Sequence, residues 1–456
     1  MQHASGITHK TRGALLHGFG RRLQSSSPGF PGRRASLYVQ VQTAVHGGPM
    51  TAGPCKTPFP SVWLSELETT EPHTPINARV PTVVDIAIVG AGMTGCSLAL
   101  HLSMQGNTDS VLVIDARCVS GGASGRNGGI LWPARDEPFE VRTARRLREL
   151  LHSIGADAFF VEGGGVSLVE RAEEVDEAFV LDGQEEVEPE LLMGAASGAF
   201  SRAYLDPDVV AFWPACAVRA IASAAAPKTT FVLGCAVESI SDGGNPSRVI
   251  LRTARGDISC GRVVVATDGW LPRLCPELAP HFRSYTNTVL CSRAPITLRG
   301  QQSGWPVAAF SCAEGASEVY GCRRADGRLV LGGLRDRGLR SVPTATGDDD
   351  AAPGDEETAE LLKSWFAQRF PAVNLGEGWG DAWLGVLGFT ADGQPLMGRL
   401  PGHDGRVYVC GGFCGHGMPR CFGLADILAK RLCGKPLDEL EESIERRFDV
   451  GRFFAS

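Results

Sequence analysis

Several things are scarce in this chain of 456 residues, and each scarcity excludes a class. None of its 14 cysteines falls in a Cys-x-x-Cys pair, and their spacing shows no paired-bridge regularity. A zinc ribbon, a dithiol redox motif and a disulfide framework are therefore disfavoured, and the thiols read as reduced, intracellular and mostly buried. No uncharged apolar run of about 18 residues occurs, so no membrane-spanning helix is expected. Lys and Arg number 44 against 51 Asp and Glu, a net charge of −7. Without a basic excess, no nucleic-acid partner is expected. Glycine is plentiful at 57 residues but has no Gly-X-Y period, so collagen is excluded.

Acidic side chains are absent from residues 1–65 altogether, while Lys10, Arg12, Arg21, Arg22, Arg33, Arg34 and Lys56 are basic. Leu15, Phe19 and Leu23 recur four apart among the arginines, interrupted by Gly13, Gly18 and Gly20. An Arg-rich, acid-free leader over residues 1–60 fits a mitochondrial or plastid transit peptide, with an untargeted disordered tail and a cytoplasmic protein as the alternative. No apolar stretch of 7–15 residues follows the first charges, so a secretory signal is disfavoured.

Folded structure is expected from about Thr82. Val83–Val89 is an apolar, β-branched run of strand length. It leads into Gly90-Ala91-Gly92-Met93-Thr94-Gly95, a helical pattern to Gly106, and a second strand, Val111–Ile114, ending in Asp115. In this strand–turn–helix–strand setting the glycines have separate tasks. Gly90 permits the tight turn, Gly92 lets backbone approach a pyrophosphate, and Gly95 allows close helix–strand contact. The helix N-terminus offers amides to the phosphates, and Asp115 lies where a carboxylate binds ribose hydroxyls. This fingerprint does not separate NAD from FAD. The loop Ser120–Gly129 follows at once, with five glycines in ten residues, and reads as backbone continuing along the same cofactor.

Taken together, the first turn, Asp115 and the loop Gly122-Ala123-Ser124-Gly125-Arg126-Asn127-Gly128-Gly129 resemble the D-amino-acid oxidase/glycine oxidase superfamily of FAD-dependent oxidoreductases. The closest resemblance is to its amine and γ-glutamylputrescine oxidase-like branch. Ser61–Glu66 resembles a lead-in found in some members. Gly261–Trp270 resembles the strand and turn that close over the nucleotide. Gly388–Gly398 followed by Val407–Met418 resembles the closing signature, and the resemblance spans about residues 60–434.

The fold implied is α/β (α+β overall), a glutathione-reductase-type flavin fold. A Rossmann-like FAD-binding domain (82–145, 205–273, 384–435) would be interleaved with a mixed-sheet substrate domain (146–204, 274–383), followed by a tail helix in 436–456. The resemblance assigns non-covalent FAD to Gly90, Ala91, Gly92, Met93, Thr94 and Gly95, and to Asp115, Ala116 and Arg117. It adds Ala123, Ser124, Arg126, Asn127, Gly128, Gly129 and Ile130 from the loop, with Val237 beside the adenosine. Ala266, Thr267 and Gly269 follow from the closing turn. Gly412, Gly415, His416, Gly417 and Met418 would face the pyrimidine edge, where a helix N-terminus stabilises developing negative charge. The position of a cysteinyl flavin link in relatives falls on Gly385, and no His lies between Asp115 and Pro138, where a histidyl link would arise.

The implied chemistry is oxidation of a CH–NH bond in a small amine or amino acid, by hydride transfer to flavin N5 and hydrolysis of the imine. Oxygen or another acceptor would reoxidise the cofactor. Candidate catalytic residues are His416 and Arg323. Sarcosine-oxidase-like relatives carry a carboxylate-holding Lys after the Gly-His-Gly motif; here Pro419 stands there and Arg420 follows. An amine is therefore favoured, or an amino acid held by Arg323 or Arg324. A 2-hydroxy-acid oxidoreductase and a non-catalytic, FAD-bound mitochondrial assembly factor are the alternatives.

Other expectations concern local structure. Asp208–Ala226 reads as a mostly apolar helical stretch broken or kinked at Pro214, and Glu360–Phe370 as a helix stopped by Pro371. Asp326-Gly327 turns a hairpin, and Asp348–Glu357 reads as a solvated acidic loop.

Overall fold

The computed structural model describes residues 59–67, 79–156, 158–170, 183–242, 244, 247–299, 305–314, 317–334 and 353–455. Most of the basic leader and Asp348–Asp350 lie outside the described residues.

Two eight-stranded sheets organise the chain. In the first, Val83–Val89 pairs in parallel with Val111–Ile114 on one side and with Ile258–Val265 on the other. Thr229–Val232 extends the sheet beyond Val111–Ile114, and Val407–Gly411 extends it beyond Ile258–Val265, both in parallel. Parallel strands buried on both faces need apolar side chains throughout, which is why these segments are near-continuous Val, Ile and Leu. The helices Met93–Met104, Pro214–Ala225 and Met418–Leu432 cover one face.

The second sheet is mixed. Its order is Trp383–Thr390, Phe282–Cys291, Leu329–Gly333, Ser317–Arg323, Ala309–Glu314, Gly165–Val169, Arg202–Asp206 and Glu185–Glu186. Only the pair Ala309–Glu314 with Gly165–Val169 is parallel. The helix Glu356–Arg369 covers it through an aromatic cluster of Trp305, Phe310, Trp365, Phe366 and Phe370.

Several local expectations change. Structure begins before Thr82: Val62–Ser65 is a short helix whose Trp63 is fully buried, because a Trp is too large an apolar surface to leave in water. Pro214 does not break a helix; it opens one, at the first position, where its missing N–H is not needed. The acidic stretch is not all loop. Asp355 caps the helix Glu356–Arg369 by accepting from the Thr358 amide at 2.9 Å, and Glu356 and Glu357 sit in its first turn, where the dipole favours acids. The sequence-drawn boundaries at 205 and 384 fall inside Arg202–Asp206 and Trp383–Thr390, and both strands belong to the second sheet. In the tail, Glu439–Phe448 is a helix held by an Asp438–Glu441 capping box. No helix of the described residues is long and apolar enough to cross a membrane, and every described cysteine is a free thiol.

Candidate active site

The two sheets face each other across a cleft that begins at the carboxyl end of Val83–Val89. Gly90 has φ +116°, and a Cβ there would meet the Ala266 carbonyl oxygen at 2.5 Å. A Cβ on Gly95 would lie 1.9 Å from the Gly90 carbonyl oxygen, so the helix Met93–Met104 starts close against its strand only because Gly95 has no side chain. Near Gly92 a Cβ would meet only Ser124, leaving its cleft side open. The Met93 amide donates to Ser124 Oγ at 2.9 Å, which ties the glycine loop to the helix N-terminus.

Asp115 is held by two backbone amides, from Ala91 at 2.6 Å and Arg117 at 2.8 Å. Burial pushes its carboxyl up against these bonds, which lower it. Each oxygen retains a second lone pair for a hydroxyl donor.

Most of the sequence-derived cofactor set lines this cleft: Gly90, Gly92, Met93, Thr94, Asp115, Ala116, Arg117, Ala123, Ser124, Arg126, Asn127, Gly128, Ile130, Val237, Ala266, Thr267, Gly415, His416, Gly417 and Met418. Ala91, Gly95, Gly129, Gly269 and Gly412 do not line it. They shape the turns behind it: a Cβ on Gly129 would meet the Trp63 ring at 2.6 Å, and the Gly412 amide donates to Asp268 at 2.9 Å.

The catalytic candidates fare differently. Arg323 lies off the cleft. Side chains alternate along Ser317–Arg323, so Glu318 and Tyr320 face the cleft and Arg323 faces away, its Nε reaching the Val307 carbonyl at 3.4 Å. Arg324 is buried, pairs with Glu66 at 2.5 Å, and lies 4.8 Å from the Trp63 ring centre. His416 is on the cleft, but its Nε2 is 2.8 Å from the carboxylate of Glu140. A carboxylate only accepts, so Nε2 is the donor in this contact.

Sequence reasoning missed Glu140. It is 2% exposed and accepts from Arg420 Nε at 2.6 Å, from the Ala134 amide at 2.9 Å and from His416 Nε2 at 2.8 Å. Burial pushes its carboxyl up, but His416 and Arg420 outweigh that and hold it well below the usual carboxylate range. Arg420 is thereby committed to Glu140.

Asp268 was missed as well. At φ 45° and on the cleft lining, it accepts from the amides of Gly412, Phe413 and Gly388. Burial is the largest influence and pushes its carboxyl up.

Asn287, Ser311 and Tyr320 form part of the second sheet's wall. Tyr320 reaches across Gly332, where a Cβ would sit 2.6 Å from its hydroxyl, and accepts from Asn287 Nδ2 at 2.8 Å. Strand alternation was the only sequence signal for these residues.

The profile of the FAD dependent oxidoreductase (DAO) family matches residues 85–431, three quarters of the chain. The chain belongs to that family. Among curated relatives it is 26% identical over 399 residues to γ-glutamylputrescine oxidoreductase of Escherichia coli strain K12, covering 80% of this chain and 85% of the relative. It is 26% identical over 287 residues to 4-methylaminobutanoate oxidase (formaldehyde-forming) of Paenarthrobacter nicotinovorans, covering 59% of this chain and 33% of that one. Among solved structures, L-proline dehydrogenase from P. horikoshii superposes with a TM-score of 0.65 at 19% identity, over 82% of this chain and 99% of that one. Glycine oxidase from Geobacillus kaustophilus gives 0.64 at 20%, over 78% and 96%. These structures share the fold, and the cofactor of the family is FAD.

The cleft's own chemistry fits such a dinucleotide. Gly92 leaves backbone open at a helix N-terminus, Asp115 has acceptor capacity, and the buried Thr267 Oγ on the lining has no protein partner, as expected of a group that serves a ligand.

Proposed function

We propose that the protein is an amine oxidoreductase that converts the CH–NH unit of a small amine to an imine, which water then cleaves to a carbonyl compound and a free amine. Bound FAD supplies the acceptor for the hydride equivalent that leaves as C–N becomes C=N. The observation that carries this reading is the capture of Arg420 by Glu140. With Pro419 in the place of the relatives' carboxylate-holding Lys, the cation one position later is already neutralised, so an amine suits the site better than an amino acid. The names of two curated relatives, γ-glutamylputrescine oxidoreductase and 4-methylaminobutanoate oxidase, support oxidation beside an amine nitrogen, the second on a substrate that also carries a carboxylate.

Each residue group has a physical task. Gly90–Gly95 with Ser124 would seat the pyrophosphate, and Asp115 the ribose. The buried Asn287 Oδ1 has no protein partner and can accept from a neutral amine N–H. Tyr320, held by Asn287, would form the adjoining wall that orients the C–H and excludes water. The Met418–Leu432 helix presents its N-terminus, with His416 just before it, to the other side of the cleft.

The deciding test is anaerobic titration of the purified yellow protein with amines, amino acids and 2-hydroxy acids, following the loss of flavin absorbance. Amines should bleach it fastest. Bleaching by a hydroxy acid alone, or by no compound in the panel, would overturn the proposal.

A further inference from the structure

We infer that the segment Phe59–Leu67, which precedes the FAD-binding fold, is a clamp that pre-shapes the cofactor loop, with Trp63 as its positioning residue. It holds successive points of that loop from behind. The Phe59 carbonyl accepts from Arg126 Nη2 at 2.6 Å, and Ser61 Oγ donates to the Gly125 carbonyl at 2.5 Å. Trp63 Nε1 donates to the Asn127 carbonyl at 2.7 Å. Leu64 and the Trp63 ring then close over Gly125 and Gly129, where any Cβ would come within 2.8 and 2.6 Å of them.

The opposite side of the segment is fixed to the rest of the protein. Trp213 Nε1 donates to the Trp63 carbonyl at 2.9 Å. Glu66 pairs with Arg324 at 2.5 Å and Arg328 at 2.6 Å, in the turn of the second sheet's hairpin. The Arg324 guanidinium lies 4.8 Å from the Trp63 ring centre and 5.0 Å from that of Trp213. Cation–π contact and a part-buried ion pair thus seat the clamp on the second sheet.

The loop needs such support. Five glycines in ten residues give it many unbound conformations, and ordering it on cofactor binding would cost entropy. Its cleft side, with Ser124, Asn127 and Gly128, lines the cofactor site. A clamp that holds the loop in shape beforehand lowers that cost and tightens FAD binding. It also joins the cofactor loop of one sheet to the hairpin of the other.

The test is FAD titration onto apoprotein by flavin fluorescence, alongside Tm of the apo and FAD-loaded forms. Trp63→Phe keeps an aromatic ring but removes the bond to Asn127 together with part of the buried indole; it should raise the Kd at least about fivefold, the range of one buried hydrogen bond or more. Trp63→Ala should raise it further. Loss of residues 1–58 should leave the Kd unchanged, and loss of 1–67 should raise it more than any point variant. A purely structural role would lower both Tm values together and leave the Kd within twofold, because only a preference for the bound state separates them. That result in Trp63→Phe, or full FAD affinity in the chain lacking 1–67, overturns the inference. Trp63→Phe decides it even if Trp63→Ala does not fold.

Discussion

Individual side chains at this site act mostly by being absent or by being neutralised. Gly92 and Gly95 stand in one turn, yet their substitutions should fail differently. Gly92→Val fills the approach to the pyrophosphate and meets only Ser124, so folded but colourless protein is expected, read from flavin absorbance and an intact apoprotein Tm. Gly95→Ala forces an atom onto the Gly90 carbonyl and should lower apoprotein stability by about 1–3 kcal/mol, measured by urea unfolding.

Glu140 shows the other mode. Its depressed pKa means that the folded state prefers the ionised carboxylate, so its contribution is present above the unfolded value of 4.5 and is lost as pH falls below it. Glu140→Gln leaves the buried Arg420 without its counter-charge, a loss of about 3–5 kcal/mol at neutral pH. Below pH 4.5 the gap between the wild type and the variant should narrow, as Tm against pH will report. A gap that widens in acid would show that Glu140 is not the partner Arg420 depends on. Sequence gave no hint of Glu140, because His416 lies 276 residues away.

Elements meet at Asp268. Three segments converge on one carboxylate: the turn after Ile258–Val265, the strand Trp383–Thr390, and the turn after Val407–Gly411. No sequence pattern marks a residue whose partners are all backbone amides. Asp268→Gly relieves the positive φ, worth of order 1–3 kcal/mol, but orphans three buried amides at about 1–3 kcal/mol each. A net fall in Tm, with weaker FAD retention on gel filtration, is the expected outcome. An unchanged Tm would mean that water replaces the carboxylate at no cost. The strands themselves were legible, since a buried parallel strand must be an apolar run. Pro214 was misread because proline is equally a helix breaker and a helix opener, and only the chain direction out of Val210–Ala211 decides between them.

At the scale of the whole molecule, the flavin is expected to be held without a covalent bond. The cysteines near the site are poor nucleophiles: burial pushes the Cys421 thiol up to about 12, and Cys414 is also raised by burial. Acid precipitation should release the yellow colour to the supernatant. Colour retained in a washed pellet, with flavin mass on a peptide, would contradict this.

The sequence by itself determined the parallel strands of the first sheet, the glycine turn, the carboxylate at the strand end and the family, because these depend on short-range patterns: apolar runs, glycine spacing, and one acid at a strand end. Tertiary structure alone decided which charges are free to act. Arg323 points away because of strand alternation, Arg324 is spent on Glu66, and Arg420 on Glu140. It also decided that Trp63 packs behind the glycine loop that lines the cleft. Pairing of buried charges and rings is set by which distant segments meet, and a linear pattern carries no record of that.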